Sequence, residues 1–157
     1  MRFLRELTAT GFYTGYFPVA PGTAGSWAAL CLLIFTVRVT GVSWVVAGCL
    51  AAVLFSILTL ISSGGFAEEI GQEDPGCVVM DEFAGIAVTL AFSSGTLYSL
   101  ALAFLFFRFF DVVKPWPANR LQDLPGAKGI LLDDLVAGLY GGILLLLLQF
   151  FFPILNT

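Results

Sequence analysis

Four long stretches of the chain carry no charged residue: 7–37, 39–67, 83–107 and 135–157. They are 31, 29, 25 and 23 residues long. About 20 apolar residues in helix cross a bilayer core, so each stretch can touch both faces. Composition agrees. Hydrophobic residues are 59% of the 157 before glycine is counted, and charged residues are 11%. Soluble domains hold about 45–50% apolar residues with glycine included and about 25% charged. Mean hydropathy is +0.96. A chain this short lacks the interior to hide so much apolar surface from water. Disorder, a coiled coil and a disulfide scaffold are excluded. A net charge of −4 without a basic patch argues against nucleic acid as a partner. Cys31, Cys49 and Cys77 lack metal-ligand spacing and read as small buried hydrophobes. The chain has no histidine.

The expected fold is all-α: one membrane-embedded domain over 1–157, a helical bundle of about five apolar segments. Met1–Phe17 carries Arg2, Arg5 and Glu6 on one side and reads as an interfacial segment. Pro18 and Pro21 then break helix. Span A is expected from about Ala24 to Val37, behind a helix start at Pro21–Ser26. Span B follows from about Ser43 to Ser62, with Glu68 and Glu69 in a solvated loop beyond it. The 38 residues from Gly76 to Val113 would make one helix of roughly 57 Å, longer than any bilayer is thick. Ser93-Ser94-Gly95-Thr96 is a turn signal, dividing span C (about Val78–Phe92) from span D (about Leu97–Val113). Span E covers about Ile130–Phe152.

Five crossings place six of the seven Lys and Arg residues on one side, with only Arg38 opposite. The positive-inside rule makes the crowded side cytoplasmic. All eleven carboxylates, Glu73 and Asp74 among them, fall on that side too. No charge rule requires this, so it points to a working surface.

Asp81 and Glu82 open span C, Asp133 and Asp134 open span E, and Asp111 lies in the last turn of span D. Helix dipoles account for acids at the two amino ends but disfavour Asp111 at a carboxyl end. Arg108, Asp111 and Lys114, spaced i, i+3, i+6, share one face of span D and supply the missing cations. Gly138 and Gly142 form a GxxxG spacing that lets helices, and so the carboxylates, approach closely. Clustered carboxylates without His or Cys suit a hard cation such as Mg²⁺. Arg108 and Lys114 suit phosphate, and the amino end of span A adds free N–H groups and Thr23. Together these form a phosphoryl-transfer kit. With no His, a phosphohistidine intermediate is excluded. Cys77 has Phe83 six residues on, not Arg, and no Asp-x-Asp pair exists. An activated water is the simplest nucleophile left.

The blocks carrying these residues resemble a known family. Phe17-Pro18-Val19-Ala20-Pro21-Gly22-Thr23-Ala24-Gly25-Ser26 and Met80-Asp81-Glu82-Phe83-Ala84-Gly85 come first. Arg108-x-x-Asp111-x-x-Lys114-Pro115-Trp116-Pro117 and Asp133-Asp134-Leu135-Val136-Ala137-Gly138 follow in order. The chain is similar to phosphatidylglycerophosphatase A, a bacterial membrane lipid phosphatase. The resemblance implies Mg²⁺-dependent removal of the terminal phosphate of phosphatidylglycerophosphate at the inner membrane, with a bilayer phospholipid as substrate. Asp81, Asp111 and Asp134 are the expected Mg²⁺ ligands. Glu82 and Asp133 are the expected base or supporting carboxylates, and Arg108, Lys114 and Thr23 the expected phosphate contacts. The rival class is a small transporter or proton-conducting protein using intramembrane carboxylates. Such sites sit near the midplane, whereas these carboxylates are expected at span ends.

Overall fold

The computed structural model describes residues 2–72 and 75–156. Glu73 and Asp74, counted above with the acidic face, lie outside the described residues, as does Met1 of the interfacial segment. The described residues form seven α-helices and two short 3₁₀ turns, with no strand. The helices are α1 (Arg2–Ala9), α2 (Pro21–Thr40), α3 (Trp44–Ile70), α4 (Met80–Leu90), α5 (Leu97–Val113), α6 (Ala118–Leu121) and α7 (Ala127–Phe151).

The five apolar segments correspond to α2, α3, α4, α5 and α7. Three of them, α2, α3 and α7, are long and apolar enough to cross a membrane. Span D and α5 coincide, with Thr96 as the cap whose hydroxyl accepts from the Ser99 N–H. The other bounds move. Pro21 sits at the first position of α2, where its missing N–H costs nothing. Ser43 caps α3 by accepting from the Val46 N–H.

Beyond Ser62, α3 runs on for two more turns, so Glu68 and Glu69 are helical and not in a loop. Glu69 is held there by Arg5, at 2.9 Å, and by Arg2, at 3.9 Å. These pairs tie the interfacial helix α1 to the end of α3. Ala9, at the end of α1, is buried, and its carbonyl accepts from the Val79 N–H. Phe3, Leu4, Phe12 and Phe17 stay exposed, as an interfacial segment requires. Cys31 and Cys49 are exposed on the outside of α2 and α3, and Cys77 is half-buried, so none is the small core residue expected.

At the centre is α4, packed against α2, α3, α5 and α7. Its 11 residues make about 16 Å of helix, half a bilayer. Pro75, Val78 and Val79 ahead of it are buried, so the chain descends into the bundle before the helix begins. Non-helical backbone at that depth is tolerated where protein encloses it or it lines a water-filled space. Beyond α4 the turn at 93–96 reaches the last turns of α7. Gln149 donates to the Phe92 carbonyl and accepts from the Ser94 N–H, while the Ser93 and Ser99 hydroxyls bond each other.

Contacts fix the helix directions. Asp134 and Gly138 meet Gly85, while Gly142 meets Phe92, so α4 and α7 run parallel. Gly22 beside Arg108 and Trp27 against Phe104 make α2 antiparallel to α5, and so parallel to α4 and α7. Gly48 against Ala91 and Phe55 against Phe83 make α3 antiparallel to α4. Glu82–Arg108 and Ser93–Ser99 do the same for α5. Three helices therefore start, and two end, at one end of the bundle. That end carries every acidic motif.

Candidate active site

At this end lies a cavity of about 750 Å³. Asp81, Glu82, Asp111, Asp133 and Asp134 all line it, with Lys114. The sequence therefore predicted the convergence correctly, but not the depth. A span E that starts at its first apolar residues has Asp133 and Asp134 in its first turn. The helix in fact starts at Ala127, behind Gly126 with φ of 65°. Asp134 is then the eighth residue of α7, about 10 Å below its start. A helix dipole acts within the first turn, so it does not explain this pair. Asp81 and Glu82 are in the first turn of α4, as expected, but that turn is itself sunk in the bundle.

Within the cluster the carboxylates divide. Asp81, Glu82 and Asp134 each offer an oxygen within 4.8 Å of the others. Asp111 turns instead to Arg108, with which it forms an i, i+3 ion pair at the end of α5. Arg108 Nη1 also lies 3.9 Å from Glu82 Oε1. The αL backbone of Lys114 (φ 45°) caps α5 and turns its side chain across to Asp133 Oδ2, at 2.5 Å. Burial works against the Lys114 ammonium. The hydrogen bond to Asp133 and the charges of Asp133, Asp134 and Asp111 outweigh it and hold the pKa above that of an ordinary lysine.

Five carboxylates in the recess thus meet two cations, Lys114 on its wall and Arg108, which does not line the cavity but pairs with Asp111 and approaches Glu82. Like charges so close and poorly hydrated are costly unless a cation joins them. Glu82 Oε2, Asp133 Oδ1 and Asp134 Oδ2 are buried without a hydrogen-bond partner among the described residues. Orphaned carboxylate oxygens, with no His or Cys near, are the donor set a hard divalent ion takes. The residues present therefore fit Mg²⁺.

The sequence reading also missed residues. Gly22, not Thr23, meets the cluster: a β-carbon on Gly22 would overlap Glu82 Oε1 and stand 3.2 Å from Arg108 Nη1. Thr23 is half-buried one residue on and is not part of the cavity wall. The legible cue was the glycine of Pro21-Gly22-Thr23, since only a residue without a side chain admits Glu82 there. Glu68, Gln72, Gln122 and Asp123 complete the rim. They were overlooked because they belong to a helix end and a loop lacking any motif.

Fold and site together define a class: an all-α membrane protein whose polar chemistry is recessed at one end of its bundle. Comparison with known proteins narrows it. The family model for phosphatidylglycerophosphatase A matches residues 7–149. The Escherichia coli protein named phosphatidylglycerophosphatase A is 35% identical over 135 residues, 85% of this chain and 76% of that one. Its Haemophilus influenzae namesake is 32% identical over 151 residues, 92% of this chain and 88% of that one. A Bacteroides thetaiotaomicron protein, provisionally named phosphatidylinositol-3-phosphatase, is 34% identical over 149 residues, 91% of this chain and 92% of that one. No solved structure is significantly similar. The chain belongs to the phosphatidylglycerophosphatase A family.

Proposed function

We propose that this protein is a Mg²⁺-dependent phosphatase that removes the terminal phosphate of phosphatidylglycerophosphate to give phosphatidylglycerol. The observation that carries the chemistry is the meeting of Asp81, Glu82 and Asp134 with Lys114 and Asp133 in one recess. Family membership carries the substrate. Asp81, Glu82 and Asp134 would hold the ion, with Asp111 beside them. Bound Mg²⁺ would withdraw charge from the phosphoryl oxygens and favour attack by water.

The chain's own groups do the rest. Lys114, on the cavity wall, meets the incoming phosphate as a point charge, and Arg108 adds the planar fork that grips two oxygens. A water oxygen forms the new bond to phosphorus while the ester P–O bond breaks, and the glycerol oxygen leaves as an alcohol, taking up the proton that the attacking water gives to a carboxylate. Glu82 and Asp133 each keep one buried oxygen free to take the water proton. The recess limits bulk water around the reacting group, which strengthens each of these charges.

The positive-inside count supports a multi-pass protein of the bacterial inner membrane with this recess facing the cytoplasm. Placement at one end of the bundle favours an enzyme open to a headgroup over a transport site near the midplane. The test is phosphate release in detergent from phosphatidylglycerophosphate, with and without Mg²⁺, beside phosphatidylinositol 3-phosphate. Release from the first, abolished by chelation, is expected. Preference for the inositol lipid would overturn the substrate assignment, and release unaffected by chelation would overturn the metal.

A further inference from the structure

A second concavity, a groove of about 340 Å³, lies on the flank of the bundle beside the first. Phe110, Pro115, Trp116, Tyr140, Leu144 and Leu147 wall it. Its only side-chain hydroxyl is spent, since Tyr140 donates to the Trp116 carbonyl at 2.9 Å. The wall is otherwise almost entirely apolar, the Trp116 indole N–H apart, and Trp116 stands 75% exposed. Such a surface is costly to leave open to water, but α7 is long and apolar enough to cross a membrane, where this face would meet lipid.

The groove neighbours the recess in two ways, although no residue lines both. Along the chain, Lys114 contributes its ammonium to the recess, and the next residue, Pro115, begins the groove. Along α7, Asp133, Tyr140, Leu144 and Leu147 are spaced by 7, 4 and 3 residues, so they fall on one stripe of the helix. Asp133, holding Lys114, is the polar end of the stripe, and Leu147 is its apolar end. Side chains lean toward the start of their helix, which is how Tyr140 reaches back to Trp116. An amphipathic Trp at that height marks a headgroup boundary. From Tyr140 to Leu147 the groove runs about 10 Å along the helix.

We propose that this groove holds one fatty acyl chain of the phospholipid whose phosphorylated headgroup enters the recess. The proposal rests on the phosphatase reading for the identity of the headgroup. It adds a tail subsite and a direction: phosphate at Lys114, glycerol near Trp116, tail toward Leu147. Bound this way, the lipid need not leave the bilayer to react.

Two measurements test it. First, kinetics of Leu144→Trp, which fills the groove, are compared with those of Leu146→Trp, which points to lipid elsewhere on α7. Substrates are long-chain and short-chain forms of phosphatidylglycerophosphate in mixed micelles. Leu144→Trp should raise KM for the long-chain form about tenfold, leaving kcat, the short-chain form and the melting temperature unchanged. Leu146→Trp should change none of these. Equal loss on both forms, no loss on either, or a changed oligomeric state with Leu144→Trp would overturn the subsite. Second, a dioleoyl phosphatidic acid with a diazirine in its tail is photo-crosslinked to the wild-type protein. Labels should map to residues 140–147 in excess over phosphatidylcholine with the same tail. Equal labelling by both lipids overturns the subsite. If wild type releases no phosphate from either substrate form, the phosphatase reading fails and the crosslinking alone decides the groove.

Discussion

The carbonyl oxygen of Gly85 occupies the space that a β-carbon on Gly138 would need. At the same crossing, Thr89 on α4 donates to the Gly138 carbonyl on α7 at 2.9 Å. The obstacle is backbone, not a flexible side chain, so it cannot step aside. Gly138→Ala must push α4 and α7 apart. One turn away, those helices carry Glu82 and Asp134. Overpacking of this kind costs about 1–3 kcal/mol. The expected outcome is a lower melting temperature in detergent together with lost turnover. Thr89→Val removes only the hydrogen bond and should cost about 1 kcal/mol, with turnover retained. Full activity in Gly138→Ala would show that close approach of these helices does not set the site.

Gln149 offers the opposite case, a buried polar group far from the recess. Its amide serves the Phe92 carbonyl and the Ser94 N–H, so it fastens the turn between α4 and α5 to α7. Gln149→Leu strands the Phe92 carbonyl, at about 1–3 kcal/mol, while the Ser94 N–H keeps its bond to the Ser99 hydroxyl. Melting temperature should fall, while KM for substrate measured in the cold stays at the wild-type value. A changed KM would mean that the turn communicates with the site.

The helices were legible because lipid selects on charge: runs without charge are long, and charges mark their ends. The same logic failed wherever a charge is accommodated inside a helix. Glu69 is helical because Arg5 and Arg2 reach it from α1, a tertiary fact with no local trace. Asp133 and Asp134 lie one turn deeper than expected because α7 begins at Ala127-Lys128-Gly129, where a Lys and a Gly interrupt the apolar run, after Gly126. The convergence of Asp81, Asp111 and Asp134 could be read, since helix direction follows from counting crossings. Their division of labour could not. Asp111 goes to Arg108 and Glu82 joins the acidic triad through side-chain reach, which spacing alone does not encode. Gly22 illustrates the same limit, because the group that fills its missing side chain comes from 60 residues away.

Topology is checked by cysteine accessibility in a background lacking Cys31, Cys49 and Cys77. Gln72→Cys and Asp123→Cys, both exposed on the rim of the recess, should label from the same side of the membrane. Val42→Cys, in the exposed turn between α2 and α3, should label from the other. Labelling of Gln72→Cys and Asp123→Cys from opposite sides would sink a single site built from α4, α5 and α7.

Charge removal separates the acidic triad from other acids. Asp81→Asn, Glu82→Gln and Asp134→Asn keep shape but remove a negative charge. Each should lower turnover about a hundredfold or more, about 3 kcal/mol of transition-state stabilisation. Tightly bound Mg²⁺, measured by equilibrium dialysis, should fall in parallel. Glu69→Gln, whose partner is Arg5 and not the recess, should leave both readouts unchanged. If all four variants lose activity alike while Mg²⁺ binding holds, the triad is general electrostatics and not an ion site.

Arg108 is where geometry and proposed chemistry pull in different directions. Its guanidinium already engages Asp111 and approaches Glu82, which would suffice if its task were to hold the end of α5. A phosphate grip needs the planar fork as well as the charge. Arg108→Lys retains the charge and loses the fork. With a gripping role, turnover should fall about a hundredfold, with melting temperature within a few degrees of wild type and Mg²⁺ binding preserved. With a purely structural role, the variant melts early and turns over normally when assayed cold. Lys114→Arg supplies the complementary reading. Lys114 acts as a point charge held by Asp133, so Arg there should retain more activity than Lys does at position 108. Measuring rate and melting temperature on the same preparations decides between the roles, and an early-melting Arg108→Lys with normal cold turnover would remove Arg108 from the phosphate site.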